Sequence, residues 1–198
     1  RRTMACGAIL AGGQARRFEG RDKGALIVGG LTIRERQLGV LRAVASRLLL
    51  VGAPSDAPLP PGVERVADRT PGCGPLGGLN AALDAAAGDA VVLVAGDMPF
   101  LTAGLLRYLL DSLPGVDAVV PRTERGYHPL CAVYGPACQA AVRHRLETGA
   151  LRVRDLFEDV RVRVVEGSDL ARFGEPSHLL ANVNTRADLD ALESLRNH

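Results

Sequence analysis

The sequence predicts an α/β fold, a single three-layer domain in which a mostly parallel sheet is covered on both faces by helices, with an irregular C-terminal third. Three observations carry this. The chain has 198 residues, enough for one sizeable core and short for two. Apolar residues make up 47%, so burial can hold the fold without disulfide or metal staples. They fall in short continuous runs alternating with stretches of helical spacing, the pattern of strands buried on both faces of a parallel sheet.

The first run, Ala5–Leu10, reads as a buried strand that stops at Ala11-Gly12-Gly13. Residues 31–44 place Ile33, Leu38, Leu41 and Val44 near helical spacing. Residues 47–51 form a strand closed by Gly52 and a Pro-rich loop through Pro61. A weaker strand at 63–67 leads into a Gly/Pro-rich loop at 70–75, and the Ala-rich residues 76–87 read as a helix. Residues 90–95 are the most strand-like run in the chain, ending at Gly96-Asp97-Met98-Pro99. Thr102 is placed to cap a helix through Leu113. Strands follow at 117–121 and 130–134, a helix at 136–147, a short helix at 152–158, a strand at 160–165 and a last helix from about Arg186. The C-terminal third is expected to add an antiparallel strand or two.

Composition excludes several classes. A net charge of +2 with 23% charged residues offers no basic footprint for nucleic acid. Aromatics at 4% without Trp leave few platforms for base stacking. No apolar run approaches the roughly 20 residues of a membrane span. Neither nucleic acid nor membrane is therefore an expected partner. The four cysteines form no C-x-x-C pair and the four histidines are scattered, so no zinc site is expected. Cys6 and Cys131 sit in apolar runs, as buried thiols do, and a reducing, cytoplasmic compartment is expected.

In open α/β sheets ligands bind at the carboxyl ends of strands, near the switch in strand order. Three loops at such ends are chemically loaded. The first follows residue 10: Gly12 and Gly13 permit close backbone approach to an anion, and Arg16, Arg17, Arg21 and Lys23 crowd four cations into one loop. That composition suits a polyanion such as a triphosphate, although its spacing is neither a Walker A loop nor G-x-G-x-x-G. A solvated charged loop is the alternative. In the second loop, Asp97 is placed to hold Mg²⁺ beside phosphate oxygens or to make an Asx-turn. The third runs from Asp68 through Gly72, Gly74, Gly77 and Gly78 into a helix start, a place for an anion or an ordinary Gly/Pro turn.

Taken together, Leu10-Ala11-Gly12-Gly13, Arg16-Arg17, Gly20 and Asp22-Lys23-Gly24, followed by GPLGGL at 74–79, GDMPFL at 96–101 and NVNT at 182–185, resemble the molybdenum cofactor guanylyltransferase family over essentially the whole chain. The resemblance implies a Rossmann-like nucleotidyltransferase fold, with a nucleotide-binding half over about 1–120 and an acceptor half over about 121–198. It implies transfer of GMP from GTP to the phosphate of molybdenum-loaded molybdopterin, with Mg²⁺ as cofactor and pyrophosphate released. The glycine pattern resembles the GTP-using branch; a CTP-dependent cytidylyltransferase and a catalytically silent nucleotide-binding module are the competing readings. Leu10, Ala11, Gly12, Gly13 and Gly78 would lie along the nucleotide, Lys23 on its phosphates, Asp68 on nucleotide atoms, and Asp97 on nucleotide and metal. Arg17 and Gly20 match positions the family needs for activity. His128, Asn182 and Asn184 would face the acceptor, with a structural histidine and a cap on the last helix as the alternatives. The resemblance also leaves room for transient contact with molybdenum-insertion or molybdoenzyme-delivery proteins. Three departures stand out: Val51-Gly52 where the family often has Asn, Phe18 where it has Met, and Arg186 in the first turn of the last helix, against the dipole.

Overall fold

The structure, a computed structural model, describes residues 3–12 and 23–196, with the side chains of Lys23 and Arg196 outside the description. Eight strands form the main sheet: β1 (Ala5–Leu10), β4 (Arg47–Val51), β5 (Val63–Val66), β6 (Ala90–Ala95), β7 (Ala118–Thr123), β8 (Gly126–Tyr127), β9 (Cys131–Tyr134) and β10 (Val162–Glu166). Their order is β10-β7-β9-β6-β1-β4-β5, with β8 paired to β7. The neighbours β5, β4, β1 and β6 run parallel, as do β7 and β10, while β9 runs against β6 and β7. The antiparallel strands are β8 and β9, which come before the last third or at its start, where they were not expected; β10, the strand that lies wholly within the last third, runs parallel to β7.

Continuous apolar strands form because both faces are covered. Along β1, Ala5 and Ile9 enter one core, while Cys6 and Ala8 enter the other. In β6, Ala90, Val92 and Val94 alternate in the same way with Val91 and Leu93. Helices α1 (Ile33–Arg42) and α3 (Ala103–Asp111) cover the first face through Leu38, Leu41, Leu105 and Leu109. Helices α2 (Gly74–Ala86) and α4 (Cys138–Thr148) cover the second through Leu76, Leu79, Leu83 and Val142. Short helices α5 (Gly167–Leu170) and α6 (Pro176–Leu179) follow β10, and α7 (Arg186–Arg196) ends the description. Among the described residues no helix is long and apolar enough to cross a membrane.

Two local differences from the expected elements stand out, and the first has a simple cause. Residues 31 and 32 belong to a hairpin, β2 (Ile27–Val28) with β3 (Leu31–Thr32), turned by Gly29 and Gly30 at φ 60° and 84°. Thr32 then caps α1 in a reciprocal box with Glu35, which fixes the helix start at Ile33. Residues 153–158 form a 3-10 helix.

The strand register positions the site. Leu10 is level with both Val51 and Ala95, and Val51 with Val66. Four parallel strands therefore end in one row, and the loops beginning at Ala11, Gly52, Ala67 and Gly96 leave from the same rim. In the strand order β1 lies between β4 and β6, so the chain departs from it to opposite sides, the crevice where such sheets take ligands.

Candidate active site

The rim is stitched by its own backbone. Ala11 N donates to Val51 O at 2.9 Å, and Gly52 N donates to Val66 O at 2.9 Å. Gly52 has φ 76°, and a Cβ there would lie 3.3 Å from Gly12 Cα. Left-handed backbone and a close neighbour together call for glycine, so where the resembling family often carries Asn this chain has bare backbone.

The start of α2 closes one side. Asp68, half-buried, accepts from Thr70 N at 2.9 Å and Thr70 Oγ1 at 3.2 Å, folding its loop as an Asx-turn. A Cβ on Gly77 would stand 2.6 Å from Thr70 Oγ1, and one on Gly78 would stand 2.7 Å from Leu10 Cδ2. These two glycines let the helix start press against the Asp68 loop and the end of β1. The N-cap Cys73 makes no side-chain cap bond to α2, and its first turn holds no acid. Among the described residues, its leading N–H groups and positive dipole end are therefore placed to meet an anion arriving at the rim.

Asp97 sits at the centre. Gly96 N donates to Leu10 O at 3.1 Å, and a Cβ on Gly96 would stand 2.8 Å from that same oxygen. The half-buried Asp97 accepts from Asn182 Nδ2 at 2.9 Å through Oδ1. Its backbone oxygen accepts from Val183 N at 2.7 Å. From α1, Gln37 Nε2 donates to Ala95 O at 2.6 Å and Met98 O at 3.2 Å. Its neighbour Arg36 donates from Nε to Pro99 O at 3.0 Å. Gln37 is the single fully buried polar residue among those described, at 1% exposure, and its Oε1 has no hydrogen-bond partner among them. Such an orphaned acceptor costs about 1–3 kcal/mol. Sequence reasoning passed over Gln37; the signal was a polar residue one turn after Ile33, on the face that also buries Leu38 and Leu41.

On the far side of β6, His128 reaches the same rim because β9 is reversed. Its backbone N donates to Pro121 O at 2.9 Å, and its Nε2 lies 2.7 Å from Thr123 Oγ1. Burial, with Arg125 nearby, holds its pKa below the ordinary value of 6.5, so the ring is neutral at pH 7. Four strand spacings of about 4.8 Å put β5 and β9 roughly 19 Å apart. Asp68 and His128 therefore face different parts of whatever occupies the rim, with Asp97 between them.

Asn182 is tied to Asp97 rather than to the last helix. The cap of α7 is Thr185, whose Oγ1 accepts from Asp188 N at 3.1 Å, while Asp188 Oδ2 accepts from Thr185 N at 3.0 Å and Asn184 N at 2.9 Å. Asp188 offsets the charge that Arg186 brings to the first turn, and Arg186 itself meets Asp190 at 3.1 Å. A small separate core of Val28, Ile33, Val183 and Leu189, with Leu26 and Phe100 against it, fastens the segment after Lys23 to the Asp97 loop and the C-terminal strap. Of the predicted residues, Leu10, Ala11, Gly12, Asp68, Gly78, Asp97 and Asn182 border the rim together, with His128 further along it and Asn184 set back at the α7 cap. Gly13, Arg17, Gly20 and the side chain of Lys23 lie outside the described residues.

Residues 7–165 match a family model described as the MobA-like NTP transferase domain. A probable molybdenum cofactor guanylyltransferase of Pelotomaculum thermopropionicum is 37% identical over 186 residues, covering 94% of this chain and 90% of the relative. One of Carboxydothermus hydrogenoformans is 33% identical, covering 93% of each. Among solved structures, the molybdopterin-guanine dinucleotide biosynthesis protein A of Archaeoglobus fulgidus shares the fold at a TM-score of 0.75, with 24% identity over 97% of this chain and 98% of that one. A sheet whose parallel strands end in one glycine-lined rim around a central aspartate, matched along its length by such relatives, settles the family: the chain belongs to the MobA-like NTP transferases and is a nucleotidyltransferase of molybdenum cofactor biosynthesis.

Proposed function

We propose that the chain transfers GMP from GTP to the terminal phosphate of molybdopterin, releasing pyrophosphate. The observation that carries this reading is the position of Asp97 in the loop just past the carboxyl end of the central strand β6, between the start of α2 on one side and Asn182 and His128 on the other. The triphosphate lies along Leu10, Ala11, Gly12 and Gly13, with Asp68 and the Gly77-Gly78 helix start on the nucleoside side. The division of labour follows the rim: residues to about 120 take the nucleotide, and residues from about 121 take the acceptor through His128 and Asn182, with Asn184 behind them at the α7 cap.

The donor set suits a magnesium ion that arrives with the triphosphate. Among the described residues no group of three or more His, Cys, Asp or Glu is placed to hold a resident metal. One carboxylate shared with phosphate oxygens and water is the usual arrangement for Mg²⁺, and Asp97 supplies it. When bound, the ion neutralises charge on those oxygens. The acceptor phosphate is already ionised at neutral pH, so the protein's task is alignment and charge balance rather than proton removal. Arg17 and Lys23 balance the charge that grows on the departing pyrophosphate. The four free thiols fit a reducing cytoplasm.

The test is incubation with each nucleoside triphosphate, Mg²⁺ and molybdenum-loaded molybdopterin, followed by product mass. Backbone groups reading the base edge should favour GTP over CTP by about a hundredfold or more in kcat/KM. Equal use of GTP and CTP overturns the guanylyl assignment. A dinucleotide product absent with every triphosphate overturns the acceptor.

A further inference from the structure

We propose that Gln37 is a positioning residue for the metal-holding carboxylate: its amide clamps the two carbonyls that bracket Gly96 and Asp97, and so fixes where Asp97 points. This rests on the reading of Asp97 as the metal ligand. The clamp is visible in the bonds from Nε2 to Ala95 O and Met98 O, which pin the turn on both sides of two residues. Arg36, the preceding residue of α1, extends the grip to Pro99 O. Gly96 cannot help, since it has no side chain and no room for one against Leu10 O.

The chemistry of position 37 ties the amide to the turn rather than to its own helix. The same helix face buries Ile33, Leu38 and Leu41, and a Met or Leu at position 37 would pack there, removing the orphaned acceptor but taking the Nε2 donor away from Ala95 O and Met98 O. The chain instead keeps a buried amide whose oxygen goes unsatisfied while its nitrogen serves two carbonyls 58 and 61 residues away. What those bonds gain is a fixed turn beneath Asp97, whose other side is held by Asn182 and Val183. Outer-shell groups of this kind set the geometry of the atom that meets the metal.

Gln37→Met keeps length and burial and removes the donor. Mn²⁺ binding is measured by electron paramagnetic resonance in the presence of an α,β-methylene analogue of GTP, alongside melting temperature and hydrogen exchange at residues 96–98. The expected result is a lowered melting temperature, since two buried carbonyls lose their donor, with faster exchange at those amides and a Kd for Mn²⁺ raised by about tenfold, the usual scale for an outer-shell loss. Unchanged Mn²⁺ affinity overturns the proposal, whether or not the melting temperature falls. Asp97→Asn in the same assay separates the two ideas: if it binds Mn²⁺ like wild type, the metal reading fails and the clamp falls with it. If Asp97→Asn loses Mn²⁺ and Gln37→Met does not, only the clamp is wrong. Should the Met variant fail to fold, Gln37→Glu preserves volume and replaces the donor by an acceptor. It is expected to lose at least as much affinity, and wild-type affinity in that variant also overturns the proposal.

Discussion

A single methyl group at Gly96 should damage this protein in a way that the same methyl at Gly78 does not. A Cβ at Gly96 stands 2.8 Å from the backbone oxygen of Leu10, whereas ordinary contact begins near 3.4 Å. The ends of β1 and β6 must then part by about half an ångström, because a carbonyl inside a sheet cannot rotate away. Overpacking of this kind costs about 1–3 kcal/mol, which for a chain of this size lowers Tm by roughly 2–12 °C. The strain falls beside Asp97, and if an ångström of misplacement costs about a hundredfold, half an ångström costs about tenfold in turnover. At Gly78 the nearest atom is the tip of the Leu10 side chain at 2.7 Å, which can change rotamer, and Ala in a helix interior recovers about 1 kcal/mol over Gly. Thermal melts of Gly96→Ala and Gly78→Ala, with pyrophosphate release measured well below both midpoints, make the comparison. Equal melts for the two variants, or wild-type turnover in Gly96→Ala, would refute the reasoning.

Asp97→Asn keeps shape and removes the anion; turnover should fall by about two orders of magnitude or more even at saturating Mg²⁺. Asn182→Ala removes an amide that helps orient Asp97 through Oδ1, so the half-saturating Mg²⁺ should rise along with the acceptor KM; a change in acceptor KM alone would separate Asn182 from the metal side. His128 is held below 6.5 by burial, so the unfolded chain binds the extra proton first and stability should decline as pH drops through about 6.5. Melts between pH 5 and 8 should show that slope flattened in His128→Gln. Burial pushes the thiols of Cys131 and Cys138 up to about 12, while Cys73 is half-buried just ahead of α2. Native alkylation followed by mass mapping should mark Cys73 first, and GTP with Mg²⁺ should protect it.

Much of the fold was legible because its strands are buried on both faces, which writes them as unbroken apolar runs. Ala5–Leu10 and Ala90–Ala95 have the bounds expected of them. The hairpin of β2 and β3 was not legible, since two residues per strand are too few to establish a period. The three loops at the rim could be picked out because each sets glycines and charged side chains at the end of an apolar strand. Their internal logic could not. Gln37 reaches 58 residues to Ala95, and Asn182 reaches 85 residues to Asp97; no local pattern encodes either distance. Which helix caps itself was equally hidden: two asparagines stand near the start of α7, yet Thr185 and Asp188 form its cap.

The reversal of β9 bears on how two substrates can share one sheet. A parallel strand delivers to the rim only the loop that follows it, and β5, β4, β1 and β6 do so over the proposed nucleotide side. An antiparallel strand delivers the loop that precedes it, so β9 brings Leu130 up to Ala95, where Ala95 N donates to Leu130 O at 2.8 Å. His128 comes to the rim with it. Because β9 also pairs with β7, the proposed acceptor half is not a separate body but a continuation of the same hydrogen-bonded sheet. The two halves meet at the carboxyl end of β6, and the residue standing there is Asp97. In the proposed reaction one group serves both the phosphate being attacked and the phosphate attacking it, and that group belongs at this junction. Its neighbours, Gln37 from the first helix and Asn182 from the C-terminal strap, tie it to both ends of the chain.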